Sequence, residues 1–157
     1  MHAERPLRGT RYEDDYARWA EEQAAALAEG RFAELDLVNL AEEVGGLSRS
    51  DKQQVGSRLA VLLSHLLKHA YQPERATRSW KLTEIEQAAE IEELLRTSPS
   101  LRSQIDERFA SAYRSARRRA ATETGLELDT FPAEPPEAIL DGLRSALEKA
   151  RRDEEGP

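Results

Sequence analysis

Leu59 to Lys81 reads LAVLLSHLLKHAYQPERATRSWK, the most apolar run of the chain followed by a cationic, aromatic turn. Val55, Leu59, Leu62 and Leu66 share one helical stripe, and Leu63 and Leu67 widen it. An apolar arc of that width predicts the most buried helix of a bundle. Pro73 ends it, because the residue before a proline avoids the α region. Upstream, Ser50-Asp-Lys-Gln53 has capping-box spacing, which predicts a helix from Ser50 to Tyr71.

Working towards the N-terminus, Leu37, Leu40, Val44 and Leu47 recur at steps of three and four, a narrow apolar seam on a helix that Asp36 can cap. Gly45-Gly46 weakens the end of that helix by about 1 kcal/mol per glycine. Tyr12, Tyr16, Trp19, Gln23, Ala26 and Leu27 outline a first helix over 13–29, with Gly30 as its stop. Residues 1–11 are polar and read as a flexible N-terminus.

Working towards the C-terminus, a helix begins near Ser79 and carries Ile85, Ala88, Ile91 and Leu95. Ser98-Pro99 is a cap with proline at the first helical position. The following helix places Leu101, Ile105, Phe109, Ala112, Tyr113, Ala116 and Ala120 on one face, and Gly125 closes it. Pro132, Pro135 and Pro136 exclude continuous helix over 126–136, where Leu126, Leu128 and Phe131 can fold back as a plug. A last helix covers 137–150, and 151–157 reads as a frayed, charged tail. No stretch alternates with period two as a strand does. The fold expected is all-α: one domain over 12–150, a bundle of five to six helices with no sheet.

The chain has 157 residues, 39% apolar and 34% charged, with a formal net charge of −7 and no cysteine. The absence of thiols excludes disulfides, thiolate metal sites and cysteine nucleophiles. The N-terminal residues show no apolar signal region, and Leu59–Leu67 is too short to span a bilayer. The expected setting is cytoplasmic, without membrane attachment. Net acidity opposes bulk attraction to nucleic acid but leaves room for a local basic patch.

Several separated motifs occur together. They are Tyr12-Glu-Asp-Asp, Gly30-Arg-Phe-Ala-Glu-Leu-Asp36, Leu40-Ala-Glu-Glu43, Leu62-Leu-Ser-His-Leu-Leu-Lys68, Tyr71-Gln-Pro-Glu-Arg75 and Ser79-Trp80. Ser98-Pro-Ser-Leu101, Glu123-Thr-Gly-Leu126 and Phe131-Pro132 continue the series. With these marks the chain resembles a bacterial family catalogued as domain of unknown function 29, over about 12–136. The resemblance implies a helical fold, usually as a small stand-alone protein, and carries no assigned activity. The sequence departs from the family pattern at His69, where relatives look to have an aromatic, and over 137–150, which does not look like a family hallmark.

Three groups of residues could carry chemistry. Tyr71, Arg75, Arg78, Trp80 and Lys81 mix guanidinium forks, an ammonium and aromatic faces around one turn, a set suited to phosphate or stacked bases. The competing reading is a structural clasp, with Tyr71 and Trp80 packed between helices and Arg75 and Arg78 paired to Glu22, Glu42 or Glu43. Arg114, Arg117 and Arg118 form a second basic stripe, more often a solvated helix face. His65 and His69, four apart, can share a metal, with Glu42 or Glu43 adding oxygens, but no Glu-x-x-His or His-Glu-x-x-His motif supports them. No nucleophile elbow, phosphate loop or dinucleotide fingerprint is present. The expectation is a non-enzymatic interaction module, with no cofactor, binding a protein partner or itself. Nucleic-acid or phosphate binding through 71–81 is the alternative, and a metal-dependent bundle enzyme at His65 the second alternative.

Overall fold

The structure, a computed structural model, describes residues 9–156; the expectation for a flexible N-terminus lies largely outside them. It contains five α-helices: α1 (Tyr16–Ala28), α2 (Leu37–Tyr71), α3 (Arg78–Thr97), α4 (Ser103–Thr124) and α5 (Glu137–Glu155). Short 3₁₀ turns join them, and no strand occurs among the described residues. The all-α fold is as the periodicity predicts.

The two helices expected over 36–47 and 50–71 are one. Asp36 does cap the start, accepting from the Asn39 amide at 3.3 Å. The helix then continues through Gly45, Gly46 and Ser50, so the Ser50–Gln53 capping box lies within a helix and caps nothing. The physical reason is local. Glycine weakens a helix without removing a hydrogen bond, whereas proline removes one and clashes. The Arg49 guanidinium also reaches back along the glycine face to the Glu42 carboxylate and carbonyl. Other boundaries shift by a few residues. Asp15 caps α1 through the Arg18 amide, and Thr77 caps α3 through the Trp80 amide. Ser98 makes no side-chain cap, and Pro99–Arg102 is a 3₁₀ turn before α4. Helix α5 continues past Ala150 to Glu155, with an Arg152–Glu148 pair on its surface.

The chain divides into two compact units at Arg49/Ser50. In the first, α1 and the opening turns of α2 form a helical hairpin. Trp19 and Ala26 are its buried apolar residues, and Gln23 and Asp36 its buried polar ones. They are tied together: Trp19 Nε1 donates to Asp36 Oδ2 at 3.3 Å, and the Asp36 amide donates to Gln23 Oε1 at 2.7 Å.

The second unit holds the main core. Val55, Leu59, Leu62, Leu63 and Leu67 of α2 meet Ile91 and Leu95 of α3, Tyr113 and Ala116 of α4, and Leu143 of α5. The wide arc of Leu59–Leu67 is therefore central to this unit. Phe131, fully buried, plugs it from the proline-rich connection, Leu126 packs at its edge, and Leu128 stays exposed.

Candidate functional site

The end of α2 and the start of α3 lie side by side, because Pro73–Arg75 forms a single 3₁₀ turn between them. His65, Lys68 and His69 project from one side of α2, at the i, i+3 and i+4 spacing of a helix face. Trp80 sits against all three. Its ring lies edge-on to His69 at 5.5 Å and to His65 at 6.5 Å between centroids, and Lys68 Nζ is 4.6 Å from its centre. That last contact is a cation–π interaction.

Two carboxylates close the arrangement. Glu123, near the end of α4, accepts from the buried Lys68 Nζ at 2.5 Å and from Arg119 Nε at 2.8 Å. Burial pushes the Glu123 carboxyl up, but the hydrogen bonds from Lys68 and Arg119 prevail and hold it below its ordinary value. Glu84 of α3, only 3% exposed, pairs with His69 Nδ1 and with Lys81 Nζ, the latter at 2.9 Å. Burial first, and then Lys68, lower the His65 imidazole below its usual range, so it is neutral at pH 7. Its Nδ1 is buried without a hydrogen-bond partner among the described residues. Lys68 and Lys81 thus face carboxylates, while His65 contributes a neutral ring.

The predicted turn residues separate into three places. Trp80 and Lys81 belong to this network. Tyr71 turns the other way, edge-on to Phe131 at 5.6 Å between centroids, and packs at the main core. Arg75 and Arg78 are exposed and form no ion pair among the described residues. Glu22 is held by Thr10 and Arg18, Glu42 by Arg49, and Glu43 by the hydroxyls of Tyr12 and Tyr16 at 2.6 and 2.9 Å.

The second basic stripe is divided as well. Arg117 Nε donates to the Phe131 carbonyl at 2.9 Å and pins the proline-rich connection, beside a Tyr113 hydroxyl that donates to the Pro132 carbonyl at 2.9 Å. Arg114 and Arg118 remain on the surface. As for a metal, no group of three or more ligating side chains is present among the described residues. His69 faces Glu84, and Glu43 is engaged by two tyrosines. A groove of about 630 Å³ lies along Gly56, Ser57, Gln104, Arg108 and Ser111, and Glu107 and Arg108 are its ionisable residues.

Sequence reasoning passed over Glu84 and Glu123. The signal for Glu84 was available: it stands in register with Ala88, Ile91 and Leu95, so a carboxylate occupies a position of the buried stripe. Glu123 opens the Glu123-Thr-Gly-Leu126 motif but carried no sign of its pairing with Lys68, because a charged residue near a helix end is ordinary.

The Domain of unknown function DUF29 model matches residues 11–146, most of the chain. The chain belongs to that family. The DUF29 match takes in Tyr12 to Pro132, where every quoted motif lies, and it extends into α5. The match therefore takes in the first half of the last helix, as far as Ala146. The core explains why: Ile139 and Leu143 of α5 are buried among the residues of α2, α3 and α4. No curated protein and no solved structure gives a significant match. No described helix of this DUF29 chain is long and apolar enough to cross a membrane.

Proposed function

We propose that the chain is a non-enzymatic helical interaction module that binds a protein partner or another copy of itself. One observation carries the reading. In the first unit, Leu37, Val38, Val44 and Leu47 are 67%, 81%, 65% and 69% exposed. The hairpin therefore shows more large apolar side chains to solvent than it buries. Leu37, Val44 and Leu47 lie on one face of α2, and grouped apolar surface of this kind marks interaction sites in soluble proteins. At the α2–α3 junction the buried and half-buried charges pair with one another, and Lys81 and Glu84 also line a cavity of about 260 Å³ with Ala88 and Ala150. The setting we infer is the bacterial cytoplasm, supported by a chain without cysteine and by the bacterial family it resembles.

A photo-crosslinking residue placed at Val44 or Leu47 tests the reading in living cells of the native host. Protein adducts from these positions, and none from the exposed Glu86, are the expected result. Equal labelling at all three positions, or none, removes the proposal.

Nucleic-acid or phosphate binding is kept as a second reading because Arg75 and Arg78 are exposed without ion pairs among the described residues. Both flank the cap of α3, and free guanidinium groups suit phosphate. Such binding weakens steeply with salt. Single-stranded and duplex probes are expected to shift at low salt, and to lose the shift in Arg75→Glu/Arg78→Glu. No shift at low salt ends this reading.

A further inference from the structure

Within the second unit, α3 and α5 pack side by side with alanines between them. Ala88 and Ala89 of α3 and Ala146 and Ala150 of α5, with Ile85, form the apolar floor of the cavity of about 260 Å³. Ala88 and Ala150 are buried and belong to the main core. Methyl groups leave open a space that a leucine at any of the four positions would fill. At the ~30 Å³ taken by a water-sized group, the cavity has room for roughly eight non-hydrogen atoms. No side chain of the floor can donate or accept a hydrogen bond, so an aliphatic body displaces water from it favourably.

The remaining walls are charged, and their balance selects the occupant. Glu84, Asp153 and Glu154 stand there with Lys81 and Lys149. Glu84 is buried and its carboxylate already pairs with Lys81 and His69. Asp153, Glu154 and Lys149 are exposed and form no ion pair among the described residues. These three leave one negative charge in excess. Asp153 and Glu154 also lie in the last turn of α5, where unpaired backbone carbonyls add partial negative charge. Arg152 of the same turn is taken by Glu148, and neither it nor Arg151 forms part of the walls. We infer that the cavity binds a small primary ammonium ion, its short aliphatic body on the alanines and its ammonium between the carboxylates of Asp153 and Glu154. A carboxylate ligand of the same length meets two like charges and a helix C-terminus, with Lys149 alone to oppose them. A neutral alcohol gains the floor without the charge. The site needs no partner protein and is independent of the interaction-module reading.

The test follows backbone amide chemical shifts of the isotope-labelled full chain, near neutral pH and at matched salt, during titration with hexylamine, hexanol or hexanoate. Hexylamine is expected to give saturable shifts centred on Ala88, Ala89, Ala146 and Ala150. Its affinity is expected to exceed that of hexanol by about 10-fold, since two exposed carboxylates and a helix terminus each contribute modestly, and hexanoate should bind more weakly than the alcohol. Asp153→Asn/Glu154→Gln alters only exposed positions, so its circular dichroism should match the parent. In that variant hexylamine is expected to lose most of its preference, while hexanol binds as before. No saturable shift from hexylamine overturns the inference. So does hexanol or hexanoate binding as tightly as the amine, and so does a folded double variant that keeps the full preference.

Discussion

At position 65 a histidine occupies a place that the surrounding leucines would fill as well. It is buried, it neighbours the ammonium of Lys68, and both facts lower its imidazole below the ordinary 6.5. The unfolded chain therefore takes up a proton at a pH where the folded chain does not. This contribution to stability is complete above about pH 6.5 and is lost as the pH falls towards the lower folded value. Denaturant unfolding between about pH 5 and about pH 7.5 is expected to show a decline that His65→Gln reduces. An unchanged slope in the variant would place the titrating group elsewhere. Lys68 and Glu84 are equally buried, yet their signs are opposite and each has a partner on another helix: Glu123 of α4 for the first, His69 of α2 for the second. A one-dimensional reading identifies Lys68 as part of a cationic turn. It does not reveal that a carboxylate fifty-five positions away meets it, because that pairing is made by the packing of α4 and not by any local pattern.

Helix α2 is the element in which the sequence was most and least legible. Its buried half was plain, because Leu59, Leu62, Leu63 and Leu67 repeat with the period of a helix and all are buried. Its continuity was not. Gly45-Gly46 and the cap-like Ser50-Asp-Lys-Gln53 are both genuine local signals for a boundary, and neither removes a backbone donor. The glycines also give Arg49 a bare surface to lie across: a Cβ at Gly45 would sit 3.2 Å from Arg49 Nη1, and one at Gly46 3.8 Å from Nη2. These contacts are with the end of a flexible, exposed side chain, which can move aside, and an exposed ion pair contributes little. Gly46→Ala is therefore expected to stabilise the protein by about 0.5–1 kcal/mol, and Gly45→Ala by less, since Arg49 must shift for it. Denaturation midpoints of the two variants check the order. Destabilisation by Gly46→Ala would mean that the helix needs its glycine for close approach by something other than Arg49. The connection 126–136 shows the opposite case: prolines announced an irregular segment, and Phe131 still became a fully buried plug because Arg117 and Tyr113 satisfy its neighbouring carbonyls.

For the molecule as a whole, the two units differ sharply in what holds them. The second has a continuous apolar core drawn from four helices, whereas the first buries Trp19 and Ala26 around a polar pair. Burial contributes about 25 cal/mol per Å² of apolar surface, so a hairpin with so few buried side chains opens at a much lower free energy than a four-helix core. Amide exchange at Trp19–Ala26 is accordingly expected to be at least about 100-fold less protected than at Ile91 or Ala116 when the protein is dilute. Mass action then separates the two occupants that the interaction-module reading leaves open, a second copy and a different protein. A contact that exists only between folded hairpins stabilises them in proportion to the copies available, and it does nothing for a core that takes no part. If the occupant is a second copy, raising the protein concentration tenfold slows exchange across α1 and the first turns of α2, leaving α3 and α4 unchanged. Protection that rises equally in both units would mean that association involves the second unit as well, and the face carrying Leu37, Val44 and Leu47 would then be too small an account of it. Concentration-independent exchange in α1 would assign that face to a partner of different sequence.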